Sequence, residues 1–301
     1  GKNLTKGLGA GANPNVGKEA AINDKDTINN IIKDADMVFI CAGMGGGTGT
    51  GAAPVISQIA RDLGVLTVGI VTLPFSFEGP KRMNRALDGI AEMKKACDTL
   101  IVIPSQKLIS IDGEMNIAEA FQMSDTILHH AIKGISDLIN LKGVINLDFA
   151  DVEVMMRNMG DAIIGIGTAS GKKRTEEAAK RAMSSPLLND SSIKGAKNIF
   201  LNITGGDSLT LMEANEITSI IFDNAGPSSN ITFGVLIDHA LKDEIRVVVI
   251  ASAVGASTIT YFEDDINMRT EKLGDEFENN YEKLKKYYDF DDPDSEQSFR
   301  N

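Results

Sequence analysis

Tryptophan is absent from this chain, and cysteine occurs only at Cys41 and Cys97. Two cysteines cannot build a disulfide framework. Both sit beside apolar, strand-like runs, so buried, reduced thiols are expected, in keeping with a reducing cytoplasm. Histidine is also scarce. His129, His130 and His239 have no cysteine or acidic neighbour at metal-ligand spacing, which predicts structural or surface roles and no metal site. No 18-residue stretch is apolar throughout, so no membrane-spanning helix is predicted. Gly1-Lys2-Asn3-Leu4 carries no signal-peptide pattern. Positive charge is outnumbered, with 30 Lys and Arg against 42 Asp and Glu and a net charge of −12. Such an acidic chain, without a basic patch, is a poor partner for nucleic acid or for an anionic membrane surface.

What remains is ordinary globular composition, 43% hydrophobic and 24% charged, which can bury a core across one large or two smaller domains. The first two thirds alternate helix and strand signals, which points to an α/β fold with a parallel sheet. Helices are predicted over 24–33, 52–63 and 79–96, and strands over 35–41, 65–72 and 99–103. Residues 116–141 form one long amphipathic stretch, with Ile117, Phe121, Ile127, Leu128, Ile132, Ile135, Leu138 and Ile139 at helical spacing. It reads as a connector between domains. Beyond it, 149–159, 173–183 and 210–222 read as helices. Residues 162–169, 198–204, 231–238 and 245–252 read as strands of a second mixed α/β domain. From Tyr261 onward 13 acidic residues face 6 basic ones. There 270–286 could form a charged helix, and 289–301 is expected to be disordered.

The strongest motif is Gly43-Met44-Gly45-Gly46-Gly47-Thr48-Gly49-Thr50-Gly51, between a predicted strand and a predicted helix. Glycines let a backbone turn tightly and approach a ligand closely. Exposed N–H groups with a helix N-terminus behind them suit a phosphate, and Thr48 and Thr50 add hydroxyls. A flexible linker would not be framed by a buried strand and a patterned helix. Gly11 to Lys18 fails as a Walker A loop, having five residues between its glycines and Glu19 after the lysine. A dinucleotide loop can be forced onto Gly47 to Ala52, but the next strand ends in Val71-Thr72-Leu73 rather than in a ribose-binding acid. An NAD-dependent oxidoreductase is therefore a weak alternative.

Gly45 to Gly51 resembles the GGGTGTG signature of the tubulin and FtsZ superfamily, in its FtsZ form. The likeness continues in order through Gly7 to Pro14, Val71 to Gly79 with Arg82, Asn146 to Asp151, Ser184 to Leu188, Asn202 to Gly206 and Lys242 to Val247. It covers about residues 4 to 253. The resemblance implies a tubulin-like fold. Residues 1–115 would bind GTP, 116–141 would connect, 142–260 would form a GTPase-activating α/β domain, and 261–301 an acidic tail.

The resemblance also implies roles. Ala10, Gly11, Ala12 and Asn13 match a loop at the phosphate and magnesium end. Gly45, Gly46, Gly47, Thr48, Gly49, Thr50 and Gly51 match the main phosphate loop. Glu78 and Arg82 match a pair that contacts ribose and phosphate, although spacing alone reads them as an i,i+4 ion pair. Phe121 and Asp125 share a helix face that would hold guanine; by themselves they read as core and surface. Asn146, Asp148 and Asp151 match a catalytic loop that acts on the GTP of the neighbouring subunit. By spacing alone Asp148 caps a helix and Asp151 favours its first turn.

The implied protein is a GTPase that assembles head to tail into the bacterial division ring, in the cytoplasm at mid-cell. GTP or GDP is its ligand, with Mg2+ carried mainly by the nucleotide. Other division proteins would dock on the tail, without direct membrane insertion. The alternative is a scaffold of the same superfamily with weak GTPase, against which Asp148 and Asp151 argue. Three departures stand out. Ser105 replaces the Asn usual after Ile103-Pro104. The acidic end does not match the apolar-basic peptide common in that family. No further nucleotide loop precedes Lys2, so about 60 residues, two βα units, are expected to be missing there.

Overall fold

In a computed structural model, residues 1–109, 115–141, 143–157, 159–188 and 193–252 are described. Three helices, α1 (Lys2–Thr5), α2 (Pro14–Asn23) and α3 (Lys25–Ile32), precede the first strand, β1 (Met37–Gly43). Then α4 (Thr48–Asp62), β2 (Leu66–Leu73), α5 (Pro80–Ala96) and β3 (Thr99–Pro104) alternate. The short α6 (Ser105–Leu108) and the long α7 (Ile117–Asn140) lead into α8 (Phe149–Arg157). The remainder is β4 (Gly160–Ala169), α9 (Arg174–Met183), β5 (Asn198–Gly205), α10 (Leu211–Ala225), β6 (Asn230–Ile237) and β7 (Ile245–Ser252).

The seven strands among the described residues join one sheet in the order β1-β2-β3-β4-β7-β5-β6, which bears out the expected α/β class. Only β7 runs against its neighbours, pairing antiparallel with β4 and β5. The β3–β4 seam is short: Thr99–Ile101 opposite Gly160–Ala162. The described residues, all within 1–252, belong to one compact unit. Among the described residues no helix is long and apolar enough to cross a membrane.

Burial explains these elements. β2 and β3 are mostly apolar and almost wholly buried, as strands covered on both faces must be. Leu66, Val68, Ile70, Ile101 and Ile103 pack with Ile127, Ala131, Ile135 and Leu138 of α7, and with Val152, Met155 and Met156 of α8. A second core lies between α9, α10 and β4, β7 and β5. There α9 lies almost on the backbone of β4: a Cβ at Gly167 would sit 2.0 Å from Ala178 O.

Several boundaries differ from the sequence reading. α4 starts at Thr48 rather than 52, so Gly49 and Gly51 are already helical. Their missing side chains let α2 cross α4 closely, because a Cβ at Gly51 would lie 1.9 Å from Pro14 O. α2 itself was not expected. It is started by Asn13, whose Oδ1 accepts from Asn15 N at 3.0 Å, with Pro14 in the first turn. α8 stops at Arg157 rather than 159, and α10 runs past 222 to Ala225 before Gly226, at φ 95°, ends it. Cys97 is buried as expected, and burial pushes its thiol up to about 11. Cys41 is instead exposed, because it lines the open cavity at the C-terminal end of β1. The predictions for 270–286 and 289–301 lie outside the described residues.

A polar seam lies where α7 crosses the second half of the sheet. Asn202 Nδ2 donates to Gly134 O at 2.6 Å, and Lys133 Nζ lies 3.4 Å from Asp238 and 3.8 Å from Asp137. Half-buried His130 faces this seam beside Arg246. Burial, then the charges of Arg246, His129 and Lys133, push its imidazole down to about 4 from 6.5. Between these values the unfolded chain binds a proton that the native chain refuses, so stability falls as pH drops from 6.5 towards 4. His130→Gln is expected to flatten that slope, read as urea midpoints at pH 4.5, 5.5 and 6.5. Parallel pH profiles for the two proteins would contradict it.

Candidate functional site

β1 ends at Gly43, and Met44 N donates to Thr72 O at 2.9 Å, which ties the glycine loop to β2. Gly45 has a φ of 96°, open to glycine at little cost. A Cβ there would also lie 2.6 Å from Arg82 O and 2.7 Å from Arg82 Cγ, so Arg82 lies directly over the loop. Thr50, expected to offer a hydroxyl to a ligand, is buried, and its Oγ1 accepts from Gly45 N at 2.9 Å. It shapes the loop. Thr48 is exposed. Gly47 caps α4 without a side-chain bond, leaving the first-turn N–H groups and the positive helix end for an anion.

The loop before α2 packs on the same spot. A Cβ at Gly47 would lie 2.7 Å from Asn13 N and 2.8 Å from Ala10 Cβ. Gly11 and Ala12 both adopt left-handed conformations, at φ 56° and 59°. Arg85, from α5, donates to Ala12 O and braces that turn. Ala10 to Asn13 and Gly45 to Gly51 therefore form one surface at the N-terminus of α4.

A cavity of about 370 Å³ opens beside it. Its walls include Gly43, Met44, Thr72, Glu78, Arg82, Ser105, Phe121, Ser124 and Asp125. Glu78 Oε2 lies 3.0 Å from Arg82 Nε, and Glu78 Oε1 accepts from Phe75 N at 2.9 Å. Glu78 thus caps a turn and holds Arg82 at the rim. Phe121 is 45% exposed and meets Phe75 edge-on, with ring centroids 5.2 Å apart. Asp125 is exposed one turn further along α7. The cavity offers a helix-end anion site, an aromatic surface and a carboxylate acceptor, in that succession. A larger groove of about 680 Å³ between α2, α4 and α5 lacks such a set. Its Lys18, Lys25 and Lys95 are interspersed with Asp62, Asp88 and Glu92.

The acidic loop lies elsewhere. Ile145 bridges to Val235 of β6, and Asn146 Oδ1 accepts from Gly143 N at 2.6 Å, so Asn146 folds back on its own loop. Asp148 O accepts from Asp151 N and Val152 N, starting α8. The Asp148 and Asp151 side chains are exposed. They follow the far end of α7, and the axis from Asp125 to Asn140 spans about 22 Å. The structure brings Ala10 to Asn13, Gly45 to Gly51, Glu78, Arg82, Phe121 and Asp125 into one region, and leaves Asn146, Asp148 and Asp151 outside it. Sequence reading missed Ser124, which its spacing from Phe121 could have revealed. It gave Met44 and Thr72 no role of their own, although both lie in quoted motifs, and it missed Arg85, whose contact crosses between elements and leaves no local signal.

Residues 1–113 match the GTPase domain of the Tubulin/FtsZ family, and residues 160–255 match the C-terminal domain of the FtsZ family. The structure of an FtsZ dimer from M. jannaschii is 45% identical, with a TM-score of 0.81, over 84% of this chain and 73% of that one. This chain belongs to the FtsZ family. A second M. jannaschii FtsZ structure agrees, at 45% identity and a TM-score of 0.82 over 84% of this chain and 76% of that one. CetZ1 from Haloferax volcanii, a GDP-bound monomer, shares the fold at 20% identity and a TM-score of 0.71, over 90% of this chain and 82% of that one. The chain is thus a cytoskeletal, FtsZ-like protein of a guanine-nucleotide-binding GTPase family. The nicotinamide alternative falls away with that assignment. Among the described residues of this FtsZ-family chain, no group of three or more His, Cys, Asp or Glu side chains could hold a metal ion.

Proposed function

We propose that this FtsZ-family chain hydrolyses GTP at the junctions of a head-to-tail filament that builds the cytoplasmic division ring at mid-cell. One observation carries the proposal. The exposed acids Asp148 and Asp151 follow one end of α7 while the cavity holding Asp125 lies by the other, about 22 Å of helix away. A subunit's own acids cannot reach its own nucleotide, but a neighbour stacked in the same orientation can present them.

In this reading the N–H groups of Gly46 to Gly49 and of Gly11 and Ala12 bind the phosphates, Gly45 and Asn13 shape the two turns through their own bonds, and Thr48 adds a hydroxyl. Arg82, held by Glu78, lies at the ribose and phosphate rim. Phe121 packs on the base. The Asp125 carboxylate accepts from the two adjacent N–H groups of guanine, which adenine lacks, so it selects GTP over ATP. Magnesium, brought by the nucleotide, supplies charge neutralisation on the phosphate oxygens. The Asp148 and Asp151 carboxylates of the next subunit orient a water and accept its proton as the water oxygen bonds to the γ-phosphorus and the bond to the bridging oxygen breaks, GDP leaving with that oxygen. Asn146 shapes the turn that presents them. Residues 1–115 bind nucleotide, 116–141 connect, and 142–260 complete the neighbour's site. The acidic 261–301 tail receives other division proteins, and neither nucleic acid nor direct membrane insertion is involved.

The test is phosphate release per subunit against protein concentration. A shared site requires near-zero turnover below a threshold and a constant rate per added subunit above it. A rate per subunit that stays constant down to the lowest concentration would place the whole site within one chain and sink the proposal.

A further inference from the structure

α8 begins at the acidic loop and ends at Arg157, and that last residue has the more unusual surroundings. Arg157 Nη2 donates to Gly64 O at 2.7 Å, and Nη1 lies 3.6 Å from Asp98 Oδ2. Glu153 Oε1, one turn back on α8, accepts from Arg157 Nε and Nη2 at 3.0 and 2.8 Å. Gly64 follows the C-cap of α4, the helix that starts with the glycine loop. The Asp98 side chain is only 8% exposed. Its Oδ2 accepts from Thr67 N at 2.9 Å, and its Oδ1 lies 4.0 Å from Arg61 Nε on α4. Alongside, buried Thr99 Oγ1 donates to Met156 O, and Gly160 N donates to Asp98 O at 3.1 Å. The C-terminal ends of α4 and α8 are thus joined tail to tail, while their N-terminal ends carry the glycine loop and the acidic loop.

We infer that Arg157 is a positioning residue for hydrolysis: through Gly64 and Asp98 it fixes α8, and with it Asp148 and Asp151, against the layer that carries the glycine loop. The inference rests on the proposed catalytic role of those acids. Arg157 touches neither nucleotide nor water, and acts through the angle at which α8 offers its first turn. Its fork suits the task, because one guanidinium reaches a carbonyl and two carboxylates at once. A lysine has only a point charge to share among them. A nine-residue helix held at one end transmits a small tilt to the other, and misplacements of about 1 Å are enough to slow chemistry strongly.

Arg157→Gln and Arg157→Lys decide the matter, each compared with Asp151→Ala. Three quantities are read: turnover per subunit at saturating protein and GTP, affinity for GTP, and amide hydrogen exchange by segment. Arg157→Gln is expected to lower turnover roughly tenfold with affinity unchanged, and to speed exchange across 144–157 only. Arg157→Lys should recover part of the loss. Normal turnover in Arg157→Gln overturns the inference. So does faster exchange spread through β2, β3 and α4, which would mark general destabilisation. Should Asp151→Ala also turn over normally, the catalytic reading of the acids fails, and the inference with it. A dead Asp151→Ala beside a normal Arg157→Gln removes the positioning role alone.

Discussion

Asp151→Ala is expected to slow GTP turnover by about 100-fold or more, the usual worth of a positioned general base, while leaving GTP affinity within about twofold. The reason is geometric. Asp151 is exposed in the first turn of α8, outside the cavity of its own chain. Its loss leaves the glycine loop, Arg82, Phe121 and Asp125 intact within that chain. A loss of 100-fold corresponds to about 2.7 kcal/mol of transition-state stabilisation. Mixing makes the prediction sharper. A second variant, Gly47→Val, would drive a side chain into Asn13 N and Ala10 Cβ and spoil the phosphate site while sparing the acids. Mixed in equal amounts, the two variants should recover about a quarter of normal turnover, because one junction in four joins an intact cavity to an intact acidic loop. If the mixture stays as inactive as its components, although it co-assembles, catalysis across the junction is refuted.

Arg174→Ala is expected to cost about 3 kcal/mol of folding stability, the lower end for breaking a buried ion pair. Arg174 is 6% exposed, and its guanidinium is fully occupied. It meets Glu213 at 2.7 and 3.0 Å, Asp243 Oδ1 at 2.7 Å and O at 2.8 Å, and Ser208 Oγ at 2.8 Å and O at 3.0 Å. One side chain thereby joins the start of α9, the cap of α10 and the turn before β7. Asp243 is largely exposed and regains water when Arg174 goes, whereas Glu213 is 20% exposed and is left half-stranded. That asymmetry sets the low end of the range. Glu213 also accepts from Thr210 N at 2.8 Å, so α10 loses part of its start as well. The bond to Arg174, above all, holds the Glu213 carboxyl down at about 2 from 4.5. The stability it contributes is complete above pH 4.5 and is lost as pH falls towards 2. Urea midpoints at pH 7 and pH 3 measure both effects. Equal midpoints for Arg174→Ala and the parent at pH 7 would contradict the assignment.

The sequence made the regular part of the fold legible because burial writes a period into it. Residues 245–252 of β7 were bounded as observed, and α7 differs from its predicted range only by its caps, Asn116 and Leu141. What escaped had its cause elsewhere in space. Nothing between Gly11 and Asn23 has a strong apolar period, yet α2 forms there because Gly17 and Gly51 allow it to lie against α4. The exposure of Cys41 depends on the cavity it lines, and the inward turn of Thr50 on a bond five residues back, to Gly45. The cavity was legible through family likeness, since spacing alone reads Glu78 and Arg82 as a surface pair. The ion pair read from spacing forms, and both residues stand in the cavity wall.

The place of β7 has a consequence for how this chain is made. It is the last described strand in sequence, yet it lies between β4 and β5. As the chain leaves the ribosome, β1, β2 and β3 can pair in the order they emerge. β4 and β5 must wait for the strand they share, and at 5–20 residues per second the stretch between β4 and β7 takes roughly 4 to 15 s to synthesise. During that interval the inward edges of β4 and β5 stay open to chaperones and to other nascent chains. The sheet joining β4 to β5 therefore cannot be completed until β7, which ends at Ser252, has left the exit tunnel.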